Sequence, residues 1–419
     1  MIKVLWFCNT PANADGYFDA ELRNTGGWLK ALDQALQNHV ELHIAFYMQY
    51  DKSFKFKESY YYPIKTNQSL LRKVFDRFFS YVSYKEDLRK YLDIIDTVKP
   101  DIIHIHGTEA PFTCIIPQVK IPMVVSIQGI TTVVLHKYFS GFEKRYLKLI
   151  NRKTLSLKDV FFPETFATDY RWYVKIQKLE EKNLKLVHNI IGKTDWDKRI
   201  TRILAPGSDY FHEDRVLRDS FYHREWMPHF GDKIYIHTTN SNNYYKGFET
   251  MCQALTELVN IGVNCEWRVA GIGSDDTIVK VARKKLKNKY PKKGLVLMGK
   301  IDEDALIENL LKSDIFVMTS HIENNANSLS EAMILGIPCI STFVGGTGSL
   351  IKDGEEGILI QSGDPWGMAG AILELVNDKE KAAKLGNNAR KTALVRHDKD
   401  KIIKDLLITY DKVINKTTT

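Results

Sequence analysis

The sequence is poor in cysteine: five in 419 residues, Cys8, Cys114, Cys252, Cys265 and Cys339, with no C-x-x-C pair among them. That excludes a disulfide framework and a cysteine-ligated zinc site, and predicts free thiols in a reducing compartment. No apolar run approaches the roughly 18–20 residues that a membrane span requires. The opening MIKVLWFCNT runs straight into a strand-like segment, without the basic start and long apolar core of a secretion signal. A cytoplasmic protein is expected, meeting a membrane only peripherally, on its inner face. Low-complexity tracts and short repeats are also missing. Basic residues are plentiful, but no recognition motif accompanies them, so nucleic acid is not an expected partner.

What is present is an ordinary globular composition, 44% hydrophobic and 26% charged, in a chain long enough for two domains. The net charge of +8 is uneven: residues 1–230 hold 34 Lys and Arg against 27 Asp and Glu, while residues 231–419 hold 25 against 24. Short apolar runs alternate with helical patterns, which predicts parallel sheets flanked by helices. IKVLWF, ELHIAFY, DIIHIHG, PMVVSIQG and NIIGK read as strands of a first half. KIYIHTT, EWRVAG, GLVLMG, DIFVMTS, PCISTF and GILI read as strands of a second. The expected fold class is α/β, with two Rossmann-like, doubly wound domains facing across a cleft, the default site for a ligand. The boundaries are a first domain over 1–215, a linker over 216–232, a second domain over 233–396, and a C-terminal helix over 397–419 crossing back towards the first.

The residues with chemistry sit on strand-to-helix turns. Gly26 and Gly27 open the first helix, where unpaired N–H groups can meet an anion. Lys246 stands at a helix start, where the dipole disfavours a cation, so either it serves an anion or it is a solvated surface lysine. Gly271 and Gly273 in VAGIGSDD let a ligand approach the backbone, but the third glycine of a dinucleotide fingerprint is missing, which excludes NAD. Gly345, Gly346 and Gly348 follow another strand. In HIENNANSLSEAM, Glu323 and Glu331 are separated by seven residues. A helix starting near Asn327 would turn the N–H groups of Ser328, Leu329 and Ser330 outwards for phosphate, with Glu331 suited to ribose hydroxyls. The competing reading is helix capping by Asn327 or Ser328, with Glu331 favouring the dipole. Asp195 and Asp197 form an Asp-x-Asp triplet, set aside as a metal site because it begins a charged helical stretch. His104 and His106 share one strand face. His106, at the carboxyl end, is the cleft candidate, and His104 reads as a core residue.

Taken in order, YKGFETMCQAL, RVAGIG, VLMGKI, SDIFVMTSHIENNANSLSEAMILGIPCIST, VGGTGSLIKDGEEGILI and GDPWGMAGAI resemble the nucleotide-sugar glycosyltransferases of the GT-B fold, specifically the large retaining family 4. The resemblance is strongest over residues 233–375. It implies that Lys246 holds the diphosphate of a UDP- or GDP-linked donor and Glu331 its ribose. Ser328 and Leu329 would offer backbone N–H groups to the phosphates, and Glu323 would contact the sugar. The backbone at Gly299, Lys300 and Ile301 would read the base, and Gly26 and Gly27 would approach the phosphates. The implied donor is a substrate, and neither cofactor nor metal is expected. Two departures stand out. Ser241 replaces an arginine that normally shares the diphosphate, a loss that Lys193 could offset. Gln128 replaces a histidine facing the donor sugar, and glutamine bonds a hydroxyl without titrating.

The expected activity is retaining transfer of a sugar to a saccharide, lipid-linked in surface polysaccharide, capsule or lipopolysaccharide synthesis. A nucleotide-sugar epimerase or hydrolase on the same fold, or a non-catalytic scaffold, is the alternative. Peripheral membrane contact is expected through residues 69–92, whose apolar stripe is flanked by Arg72, Lys73 and Arg77, and through residues 136–153.

Overall fold

A computed structural model of the chain describes residues 1–17, 27–65, 84–142 and 166–418. It divides into two compact units: Met1–Leu135 with Lys158–Arg218 and His397–Thr419, and His136–Leu157 with Asp219–Arg396. Gly26, residues 69–83 and residues 143–153 lie outside the described residues.

The first unit is built on an eight-stranded sheet of β1 (Lys3–Cys8), β2 (Glu41–Tyr47), β3 (Phe54–Phe56), β4 (Ser59–Ile64), β5 (Ile102–His106), β6 (Met123–Ser126), β7 (Asn189–Gly192) and β8 (Asp209–His212). The order is β3-β4-β2-β1-β5-β6-β7-β8, parallel except for the β3–β4 pair. Five of these strands were expected from their apolar runs. The other three were not, because β3 and β4 mix aromatics with lysine and serine, and β8 exposes Asp209 and His212.

Side chains alternate across the sheet, so β1 feeds two cores. Val4, Trp6 and Cys8 face one side with Ile102, Val124 and Ile191, covered by Leu29, Leu32 and Leu36 of the helix Gly27–Leu36. Leu5 and Phe7 face the other with Ile103, Ile105 and Val125, covered by Tyr91, Ile95 and Val98 of the helix Tyr84–Val98. The C-terminal helix Lys399–Thr418 adds Ile402, Leu406, Tyr410 and Val413 to the Trp6 face.

A polar chain runs through that apolar layer. Trp6 Nε1–H donates to Tyr410 Oη at 3.1 Å, leaving the tyrosine proton to reach His104 Nδ1 at 2.7 Å. Burial holds His104 neutral, so its other nitrogen carries the proton and donates to Ser126 Oγ at 2.5 Å. Each buried polar atom in the relay is thereby satisfied. His104 is a core residue.

The second unit holds a six-stranded parallel sheet of β9 (Ile234–Thr239), β10 (Cys265–Ala270), β11 (Leu295–Gly299), β12 (Ile315–Met318), β13 (Cys339–Thr342) and β14 (Ile358–Ile360), in the order β11-β10-β9-β12-β13-β14. All six apolar runs expected to be strands are strands. The helix Phe248–Asn260 buries Phe248, Cys252, Leu255 and Leu258, the predicted 3.6-residue face.

The division between the units, Arg218/Asp219, falls within the stretch expected to be a linker, where residues 223–225, 227–229 and 231–232 are exposed but several apolar side chains are buried. Val216 and Leu217 are buried within the first unit, and Phe221 within the second, where Trp226 Nε1–H donates to Ser313 O at 2.7 Å. Bulky aromatics bury more than a linker would expose. In the described parts of the two expected membrane segments several apolar residues pack inwards, while Arg89, His136 and Lys137 are exposed. Leu88, Tyr91 and Leu92 pack on the first core, and the rings of Tyr138 and Phe142 lie 6.4 and 5.4 Å from that of Tyr244.

Replacing Tyr410 with phenylalanine removes one hydroxyl and strands both Trp6 Nε1–H and His104 Nδ1. A loss of about 1–3 kcal/mol is expected in urea unfolding; unchanged stability would mean that the relay contributes nothing.

Candidate functional site

In a doubly wound sheet a ligand binds beyond the carboxyl ends of the strands, where the strand order reverses. In the second sheet that reversal falls between β9 and β12. The loop after β9 brings Lys246, and the loop after β12 brings Glu323.

Both residues are fixed from the backbone outwards. After β9 a single 3₁₀ turn, Tyr244–Lys246, ends at Gly247 with φ 70°. A Cβ there would lie 1.8 Å from Thr319 O, so only glycine lets the two loops touch. Thr319 Oγ1 donates to Lys246 O at 2.8 Å, and His321 N–H donates to Tyr245 O at 2.6 Å. The His321 ring joins Glu249 Oε1 at 2.7 Å and Ser362 Oγ at 2.9 Å, while Thr342 Oγ1 donates to Ser320 O at 2.6 Å. The 319–323 turn is thus tied to the β9, β13 and β14 loops. At its end Lys246 Nζ forms a partly buried ion pair with Glu323 Oε1, and Ser320 Oγ donates to the same oxygen at 2.9 Å. Sequence spacing placed both residues at one edge without showing that they pair.

The helix Asn327–Leu335 follows. Its N-cap is Ala326, and no side chain caps it. Asn327 and Ser328 lie inside the helix, which removes the capping reading. The first-turn N–H groups, those of Ser328 and Leu329 among them, carry the positive end of the helix dipole. Glu331 is buried on the same helix. Asn325 and Ser330 present buried side-chain polar atoms with no hydrogen-bond partner among the described residues, an arrangement suited to a polar ligand.

The remaining predicted positions border the same edge. Gly271, with φ 94°, would set a Cβ 2.1 Å from Asn240 O. Its N–H donates to Gly299 O at 2.7 Å, and Gly299 N–H donates to Ile272 O at 2.9 Å. Gly273 stands so that a Cβ would be 3.9 Å from Gly299 Cα. Lys300 is exposed and Ile301 half-buried beside them. At Ser241 an amide network takes the place of an arginine: Asn243 Nδ2 donates to Ser241 Oγ at 3.1 Å, and Ser241 N–H donates to Asn240 Oδ1 at 2.8 Å.

In the first unit the strand order reverses between β1 and β5. Gly27 begins the helix after β1, and a Cβ there would lie 2.6 Å from Arg218 Cδ. His106 ends β5, 3% exposed, and both ring nitrogens lack a partner among the described residues. Burial, with His104, Lys193 and Arg215 beside it, holds its pKa well below the usual value, so the ring is neutral. Gln128 Oε1 accepts a hydrogen bond from Arg215 Nη2. Asp197 is spoken for: its carboxylate accepts from Lys193 N–H at 2.9 Å and Tyr210 Oη at 2.6 Å, and completes a capping box with Thr194.

Two residues escaped the sequence reading. Arg215 lies in a stretch without periodicity, and nothing marked it. Glu109 follows the carboxyl end of β5 by three residues, a position that could have flagged it. Its Oε1 accepts from Gly129 N–H at 2.5 Å, while Oε2 is buried without a partner among the described residues. Burial pushes its pKa up to about 7, partly opposed by the backbone N–H groups around it.

Residues 223–392 match the family model for glycosyl transferases group 1. Over this domain, about two fifths of the chain, the protein is similar to the group 1 glycosyl transferases. Among curated relatives, the N-acetyl-alpha-D-glucosaminyl L-malate synthase of Bacillus anthracis is 28% identical over 234 residues, which cover 56% of this chain and 55% of the relative. The capsular polysaccharide biosynthesis glycosyltransferase CapM of Staphylococcus aureus is 26% identical over 172 residues, 41% of this chain and 44% of the relative. The chain thus spans about half the length of the curated relatives it matches. Among solved structures, Anabaena HepE in complex with UDP and glucose superposes with a TM-score of 0.67 over 98% of this chain and all of that one, at 14% identity. Two Rossmann-like domains built on parallel sheets, with this likeness, make the fold GT-B.

Gly345, with φ 52°, would place a Cβ 1.8 Å from Glu323 O, whereas Gly354, with φ 71°, has nothing within 4 Å. Both alanine variants incur the strain of a positive φ, about 1–3 kcal/mol. Gly345→Ala should lose clearly more in thermal unfolding, because it also displaces the turn carrying Glu323. Equal losses would show that the turn has room to move.

Proposed function

We propose that this protein transfers a hexose from a UDP- or GDP-linked donor to a saccharide acceptor, retaining the anomeric configuration, without metal or cofactor. The observation that carries this reading is the convergence at the β9/β12 switch of Lys246, Glu323, Glu331 and a helix start that no side chain caps. The UDP and glucose of the Anabaena complex support a uridine donor. The capsular enzyme supports a surface polysaccharide as the destination. A lipid-linked acceptor at the inner face of the cytoplasmic membrane belongs to the same reading, with residues 69–83 of the apolar stripe as its contact.

The chemistry follows from the site. Breaking the glycosidic bond puts negative charge on the leaving diphosphate. Lys246 and the first-turn N–H groups of the helix Asn327–Leu335 are donors fixed in advance to receive it. Glu331 takes the ribose hydroxyls, and the Gly271 and Gly299 loops hold the base. Donor phosphate competes with Glu323 for Lys246, which releases the Glu323 carboxylate to the sugar, where positive charge develops. The acceptor attacks the face that the diphosphate leaves, and the departing oxygen takes its proton. No dedicated carboxylate base is then required, and the non-titrating Gln128 is tolerated.

Lys246→Ala and Glu331→Ala should each weaken UDP binding by about 1.5–3 kcal/mol, the worth of a charge-assisted hydrogen bond. Glu323→Ala should lower kcat more than UDP affinity. Calorimetric titration alongside turnover decides, and an equal loss of UDP affinity in all three variants contradicts these roles.

With a suitable acceptor, transfer run in EDTA should still yield product, and proton NMR of the new linkage should show the donor's anomeric configuration. Inversion would refute the proposed geometry. Loss of activity restored by manganese would return attention to a metal.

A further inference from the structure

The first unit contains a buried cationic group that the reading above does not use. β5, β6 and β7 are neighbours in register: His106 pairs with Ser126, and Ser126 with Ile191. Two residues further on, with side chains on the same face, come Gln128 and Lys193. His106, Gln128 and Lys193 therefore share one side of the sheet at its carboxyl edge. Arg215 reaches the same place from the chain after β8. Its guanidinium donates to Gln128 Oε1 and stacks 4.5 Å over the Trp28 ring, which in turn lies 5.8 Å from that of His106.

Lys193 is 4% exposed, Arg215 6% and His106 3%. Two like charges buried side by side repel, and the Arg215 charge lowers the Lys193 pKa in addition to the effect of burial. Glu213, Asp197 and Asp214 act on Lys193 in the opposite sense, yet among the described residues none forms an ion pair with its ammonium. The ammonium has three donors. Among the described residues one is used, to Ile127 O at 3.3 Å. Both nitrogens of His106 are likewise without a partner. Buried donors left open in this way cost free energy unless something completes them, and here an ammonium and an imidazole N–H call for a group rich in acceptor oxygens.

We propose that Lys193, Arg215 and His106 form an anion subsite in the first unit that binds a phosphoryl group of a substrate. Gln128 holds the guanidinium in place, and the Trp28 ring supports its other face. A tetrahedral phosphoryl group offers several oxygens, enough to meet an ammonium, a guanidinium fork and an imidazole N–H together. The phosphoryl group has two sources, the diphosphate of the donor or a phosphate carried by the acceptor. The subsite rests on the proposed function only in that the substrates carry phosphate.

The test uses the whole protein and inorganic pyrophosphate as the probe, followed by calorimetry. Wild type should bind it, Lys193→Met and Arg215→Gln should each weaken binding roughly tenfold or more, and Lys193→Arg should retain it. Repeating the titration with UDP at saturation separates the sources: competition assigns the subsite to the donor, and undiminished binding assigns it to the acceptor. Pyrophosphate that fails to bind wild type, or that binds wild type and both neutral variants alike, overturns the subsite. UDP bound with unchanged pyrophosphate affinity in the variants would leave the proposed function standing while the subsite falls. Should the variants not fold, tungstate soaked into crystals of wild type still decides between the outcomes. An anomalous peak between Lys193 Nζ and the Arg215 guanidinium is expected, and its absence overturns the subsite.

Discussion

In a parallel sheet every strand delivers its next loop to the same edge, and the loops part to either side where the strand order reverses. That constraint organises both units. Between β9 and β12 it brings Lys246 and Glu323, 77 residues apart in sequence, into an ion pair. Between β1 and β5 it sets Trp28 beside His106. The side chains with chemistry stand where the sheets place them, and the glycines at 247, 271 and 345 allow those loops to close on one another.

The turn from Thr319 to Glu323 shows how firmly such a site can be held. Hydrogen bonds from Thr319, His321 and Thr342 tie it to loops from three other strands. The Glu249–His321–Ser362 array belongs to this scaffold. In the proposed reaction such rigidity would serve the chemistry, because preorganised donors need not reorganise as charge develops on a leaving group.

Much of this was legible in the sequence. Runs such as DIFVMTS and PCISTF are apolar on both faces, as buried parallel strands must be, and all six strands of the second sheet were readable on that basis. The helix start at Asn327 was readable from the polar run before it. Strands β3, β4 and β8 were not, since one-sided burial and polar ends leave no apolar run. The Lys246–Glu323 pair, the Arg215–Gln128 contact and the Trp6–Tyr410–His104 relay were also hidden. Each joins residues far apart in the chain, and only the folded topology brings them together. Within the linker expected at 216–232, which contains the division between the units, Phe221 and Trp226 looked aperiodic alone, yet each is buried.

The two departures from the pattern of the family that the sequence resembles acquire a local explanation. Asn240, Ser241 and Asn243 satisfy one another where an arginine would stand. Gln128 is engaged by Arg215. The central claim is that a nucleotide diphosphate displaces Glu323 from Lys246, and a crystal structure of the protein with UDP tests it most directly. The account predicts the diphosphate against the N–H groups of Ser328 and Leu329, the ribose on Glu331, and Lys246 turned from Glu323 to the phosphate. UDP bound elsewhere, or bound there with the Lys246–Glu323 pair intact, would contradict it.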